Sequence, residues 1–249
     1  MKYPFIQPKY YYLLFQDITG FIKQPLNTKV NDKSTKFKVY DTIGLFILKM
    51  FFLVPISIFV GLIHDPENLT KISMAERFSP LILFLVAVII LPIIEEICFR
   101  LSLIFKPIYL VLSSGVFTYY LLSKAVFSTK VSSVDETFLT RLILSIGLAL
   151  LLYPILNLKS INQKLTKIWS NRFREIYYIS CLSFAWIHIF NYELSWINLV
   201  FLPLITLPQL MSAIISGYTR VAFGFKYPLI FHMVTNLIAV SISFLPFTD

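Results

Sequence analysis

Three short patterns carry the side chains able to do chemistry: Glu95-Glu96-Ile97-Cys98-Phe99-Arg100, Phe184-Ala185-Trp186-Ile187-His188 and His232-Met233-Val234-Thr235-Asn236. Each lies in an apolar run, where an ionisable group is costly and marks a candidate functional site. On a helix Glu96 and Arg100, four apart, share a face and can pair, which makes burial of both charges tolerable. Glu95 is rotated about 100° away and lacks that partner, so its carboxyl, placed in a low-dielectric cavity, suits general acid or base work. His232 and Asn236, also four apart, present an imidazole and an amide to one spot, donors of the kind that stabilise an oxyanion. His188 is placed to orient the same water as Glu95 or to polarise a carbonyl. Glu95, His188 and His232 also make a zinc set with one open position.

Each residue has a plainer reading. A lone intramembrane histidine commonly serves as an interhelical hydrogen-bond partner, and a glutamate and arginine four apart can be a structural staple. Three apolar segments each contribute such groups, and Lys49 is the remaining deep charge. One convergent site accounts for this better than three independent staples.

The elements that position these residues follow from composition. The chain has 249 residues, is 57% hydrophobic and 14% charged, and has a mean hydropathy of +0.75. That is too little polar surface to cover a soluble globule. Apolar stretches of about 20 residues recur, each long enough to cross a bilayer as a helix. Their continuity, without alternation, excludes a closed barrel. The expected fold is an all-α, polytopic transmembrane bundle with spans at 43–63, 80–105, 107–127, 139–157, 175–190, 195–216 and 228–246. Residues 1–42 form a cytoplasmic, interfacial segment, in which Tyr3 to Phe21 mixes aromatic, proline and lysine residues suited to the headgroup layer. Residues 43–249 form the bundle, with the three patterns inside 80–246.

The net charge of +9 is spread over the connections, which argues for topology signals and against nucleic acid. Lys2, Lys9, Lys23, Lys29, Lys33, Lys36 and Lys38 precede the first span. Lys159, Lys164, Lys167, Arg172 and Arg174 lie in a connection at 158–174, and Arg220 and Lys226 in one at 217–227. With these on the cytoplasmic side, the amino terminus is inside and the carboxyl terminus outside. No cleavable signal peptide is expected in Met1 to Lys23. Cys98 and Cys181 fall inside spans as apolar thiols, with no disulfide framework.

Taken together and in order, the patterns resemble the E-E-x-x-x-R, F-x-x-x-H and H-x-x-x-N motifs of the CPBP family, which holds the CAAX proteases, bacteriocin-processing enzymes, Ras-converting CAAX endopeptidases and Abi proteins. The resemblance covers the chain from about residue 80 to its end, and the stretch from Gly217 through Arg220 to Gly224 resembles the glycine-containing connection common there. It implies intramembrane peptide-bond hydrolysis, with Glu95 and His188 activating water, His232 and Asn236 forming the oxyanion site, and Glu96 and Arg100 structural or substrate-orienting. The family has been described both as glutamate-dependent, which needs no cofactor and is the expectation here, and as zinc-dependent. Leu101 departs from the glycine often found after the motif arginine. The implied partners are the bilayer and a peptide or membrane-protein substrate, prenylated at its tail or carrying a leader, and the short chain without soluble domains suggests a prokaryotic cell membrane.

Two other functions compete: a catalytically silent immunity or scaffolding protein, and a proton-coupled transporter, which would show inverted repeats or paired broken helices. Counting about 1.5 Å per residue from the expected cytoplasmic edge puts Glu95 near 15 Å, His232 near 6 Å and His188 near 20 Å. A later start to the fifth helix, or a tilted or broken seventh, would bring them level.

Overall fold

The computed structural model describes residues 4–27 and 33–244, and every regular element in them is helical. Lys2, Lys29 and the end of the 228–246 span lie outside the described residues. The helices are α1 (Pro8–Lys23), α2 (Thr35–Ile63), α3 (Leu69–Arg77), α4 (Pro80–Leu103), α5 (Pro107–Leu121), α6 (Phe138–Asn157), α7 (Lys159–Asn171), α8 (Phe173–Trp186), α9 (Trp196–Val200), α10 (Leu202–Ile205), α11 (Leu207–Ala222) and α12 (Lys226–Ser243).

Three of them, α2, α4 and α6, are long and apolar enough to cross a membrane, with mean hydropathies of 2.5, 2.7 and 2.0. The seven expected spans are thus shown only in part, and one of them is divided. The 195–216 segment is not one helix: Pro203 and Pro208, each in a first helical turn, divide it into α9, α10 and α11, because proline starts a helix well but cannot continue one. The expected connection at 217–227 is largely helix, since α11 runs on through Arg220 to Ala222. It ends at Gly224, whose φ of +111° lies in the left-handed region that favours glycine. The 158–174 connection is mostly α7, a surface helix with Ile161, Leu165 and Trp169 along one side and Lys164 and Lys167 on the other. Trp169 Nε1 ties it to the bundle by donating to Ser102 O at 2.8 Å.

The core is built where α11 packs on α8, α12 and α2. Close approach depends on small residues. At Gly217 a β-carbon would lie 2.7 Å from the Tyr177 ring, and at Gly44 one would lie 2.6 Å from the Tyr10 hydroxyl. Gly44 is where α1 docks, burying Tyr10, Leu14, Ile18 and Phe21 while Tyr12, Leu13 and Phe15 stay exposed. α1 is thus a two-sided helix, apolar where it docks on α2.

The α4 helix has an internal irregularity close to the glutamates. Its Leu85–Ile90 stretch is π-helical, and the Leu91 N–H reaches back to Val86 O. The next bond in that register would run from residue 92 to Ala87 O, and Pro92 has no N–H to give.

Candidate active site

One cavity of about 410 Å³ is lined by Glu95, Glu96, Arg100, His188, His232 and Asn236, so every site residue expected from the sequence reaches it. α4 supplies the first three, the 3-10 turn Ile187–Asn191 that follows α8 supplies His188, and α12 supplies His232 and Asn236. α8 starts earlier than expected and α12 is unbroken. The α-helical part of α4 instead ends at Phe99, so Glu95 sits only about 6 Å from that end, close to the roughly 9 Å of His232 from the start of α12.

Glu96 and Arg100 are 0% and 1% exposed, with Arg100 Nε 3.8 Å from Glu96 Oε2. Glu96 Oε1 also accepts from His232 Nδ1 at 3.0 Å. That bond assigns the Nδ1 proton and leaves Nε2 to face Glu95, whose Oε2 is 3.6 Å away. The two glutamates thus hold opposite edges of one imidazole. His232 is therefore more constrained than its expected role as an oxyanion donor requires. His188 Nδ1 donates to Phe184 O at 2.7 Å, so its Nε2 presents a lone pair.

Phe184 explains the spacing of its motif. Its ring carries the Arg100 guanidinium at 3.6 Å, stands edge-on to His232 at 5.9 Å and touches His188 at 4.8 Å. One aromatic side chain thereby fixes three members of the site.

Asn236 Nδ2 donates to Ala87 O at 2.8 Å, the carbonyl left without a donor by Pro92. One amide N–H is spent on that bond and the second is free for other use.

No family model, curated protein or solved structure matches the chain. Among the described residues no group of three or more His, Cys, Asp or Glu side chains is disposed to hold a metal ion. Glu95, His188 and His232 share the cavity without closing into a zinc ligand set. Cys98 and Cys181 are buried free thiols.

Three arginines and a lysine refine the expected picture. Arg220, expected in a connection, is buried in α11 and donates to Arg100 O at 3.0 Å and Leu101 O at 2.8 Å. It supplies a donor to two carbonyls at the end of α4, of which Arg100 O also accepts from Leu103 N–H at 3.2 Å, and Leu101 is buried there without a glycine. Besides Lys49, Arg141 near the start of α6 is fully buried. Arg141 bonds to Thr137, Tyr119, Ser123, Ser133 O and Asp135, which occupies all its N–H groups. Among the described residues Arg100 Nη1 and Nη2 have no acceptor. A satisfied arginine away from the cavity reads as structure; an unsatisfied one lining it reads as part of a site. The α11 pattern of small residues, Ser212, Ala213, Ser216 and Gly217, was the sequence signal that helix and burial continue to Arg220.

Proposed function

We propose that the chain is a multi-pass intramembrane endopeptidase that cuts a peptide bond with a water activated by Glu95. The observation that carries this reading is the convergence of Glu95, His188 and His232 on one cavity, with Glu96 fixing the His232 tautomer. In this reading the seven-span, amino-terminus-inside topology expected from the basic connections holds, with the shorter helices crossing inside the bundle.

The chemistry follows from the donors and acceptors. Glu95 and the lone pair of His188 Nε2 are both acceptors, so a water between them donates both hydrogens and directs its oxygen lone pair to the substrate carbonyl. Glu95 takes one proton as the oxygen attacks. The carbonyl π electrons move to oxygen, and the oxyanion accepts from the free Asn236 N–H, with the imidazole of His232 alongside. When the carbonyl reforms, the C–N bond breaks and Glu95 passes its proton to the leaving amine. Glu96 keeps the imidazole oriented throughout, as an orienting carboxylate does in a hydrolase triad.

Cleavage of a fluorogenic peptide panel, including a prenylated tail and a leader peptide, by detergent-purified wild type and Glu95→Ala, with and without chelator, tests this. Cleavage that depends on Glu95 and survives chelation supports the glutamate mechanism. Loss with chelator alone moves the reading to zinc, and cleavage that survives Glu95→Ala removes the assignment of the site.

A further inference from the structure

Lys49 lies midway along α2, outside all three motifs, and lines the same cavity. It is 1% exposed. Its Nζ donates to Thr235 Oγ1 at 2.8 Å and stands 4.9 Å from the centre of the Phe231 ring. Thr235 gives its own hydroxyl proton to Phe231 O, so it can offer Lys49 only a lone pair. An acceptor oxygen and an aromatic face both favour a cation at this position.

No carboxylate pairs with this ammonium among the described residues, although a charge held away from water needs either a counter-ion or a full set of hydrogen bonds. The wider cavity repeats the imbalance. Lys49, Lys71 and Arg100 line it against Glu95 and Glu96 alone, and Glu96 is already engaged by Arg100 and His232. Arg100 keeps two Nη groups without acceptors. With His232 neutral the lining is thus short of one negative charge, and Lys49, the buried cation of α2, sits beside Thr235, next in sequence to Asn236.

We propose that Lys49 is a carboxylate-binding subsite, which holds an acidic group of the peptide substrate while Glu95 acts on the scissile bond. The carboxylate is the substrate's terminal one or an Asp or Glu side chain. This rests on the peptidase reading and adds a selectivity to it. Cutting would favour peptides with an acid at a fixed distance from the cleaved bond, and the preference would appear mainly in KM, since the subsite binds ground state and transition state alike.

The test uses fluorescein-labelled peptides from any sequence that the wild-type protein cuts, each made as free acid and as carboxamide, and with Asp or Asn at internal positions. Binding to Glu95→Gln is read in parallel by fluorescence polarisation, so that turnover is not required. In one of the acid and neutral pairs the acid is expected to be favoured by about 10- to 100-fold, the range of a charge-assisted hydrogen bond, and which pair responds tells terminus from side chain. In Lys49→Met the ratio collapses toward one. The wild-type comparison needs no variant, so misfolding of Lys49→Met cannot obscure it. Equal treatment of all pairs by the wild type, or a preference retained in Lys49→Met, overturns the subsite and leaves the peptidase reading standing. If no peptide is cut or bound, the peptidase reading falls and the subsite falls with it.

Discussion

Glu96 and His232, 136 residues apart, are joined by a 3.0 Å hydrogen bond that sets which imidazole nitrogen faces Glu95. Because Glu96 also neutralises Arg100, it links the positioning of the site to the electrostatics of α4. In the proposed mechanism the neighbouring glutamates, having different partners, have different work: Glu95 meets the substrate and Glu96 holds His232 in place.

Replacing Glu96 with Gln keeps the shape but removes the charge and the preference for one tautomer. Cleavage is expected to fall by about 10²- to 10⁴-fold, as when the orienting carboxylate of a triad is neutralised, with KM little changed. Steady-state kinetics on the best panel peptide check this. A loss confined to KM would show that Glu96 binds substrate instead.

Asn236 has a structural duty besides any catalytic one, because it satisfies Ala87 O opposite Pro92. Asn236→Ala leaves that carbonyl unpartnered and is expected to cost about 1–3 kcal/mol, read as a lowered melting temperature in detergent. Pro92→Ala restores a backbone N–H at residue 92, so the double variant should recover part of the loss. Simple additivity of the two changes would contradict the account of the π-helical turn.

At Gly217 the neighbouring Tyr177 ring is fully buried and its hydroxyl donates to Ile214 O at 2.7 Å, so it has little freedom to give way. Gly217→Ala is expected to destabilise the protein by about 1–3 kcal/mol through overpacking, whereas Gly147→Ala, with open space around it, should not. Thermal unfolding of the two variants side by side makes the comparison.

The loop before α6 gives a pH prediction away from the membrane-spanning segments. Hydroxyl donation from Thr129 and Thr137, with the Arg141 charge, holds the Asp135 carboxyl below its ordinary value of 3.8. A depressed folded-state value means that the stabilisation is complete above 3.8 and is lost as pH falls through the lower folded value. Hydrogen-exchange protection of residues 128–137, corrected for intrinsic rates, should therefore stay constant from about pH 7 to pH 5. Protection that declines within that window would contradict the contact set, and Asp135→Asn should weaken it throughout the window.

Much of the site was legible in the sequence because ionisable residues are rare in apolar segments and helical spacing assigns their faces. The pairing of Glu96 with Arg100 and the separate position of Glu95 follow from residue offsets alone. Contacts between helices were not legible. Nothing local to residue 236 says that its amide will meet Ala87, and nothing near Arg220 says that it will close the end of α4. The span pattern failed where composition and backbone chemistry disagree: residues 195–216 are apolar enough for one helix, but Pro203 and Pro208 divide them. Hydropathy also measured α4 as longer than its α-helical part, which displaced Glu95 from His232 in depth. The burial of Arg141 depends on acceptors brought in by the 128–137 loop, which no pattern local to residue 141 announces.

The central claim is that Glu95 performs the hydrolysis, and single-turnover cleavage by wild type and Glu95→Gln, reconstituted in lipid vesicles with a peptide from the panel, tests it most directly. Loss of a general base is expected to slow the chemical step by about 10²- to 10⁴-fold while the peptide still binds. In ¹⁸O-labelled water, the wild type should place one labelled oxygen in the new carboxylate. Cleavage by Glu95→Gln at the wild-type rate would contradict the account.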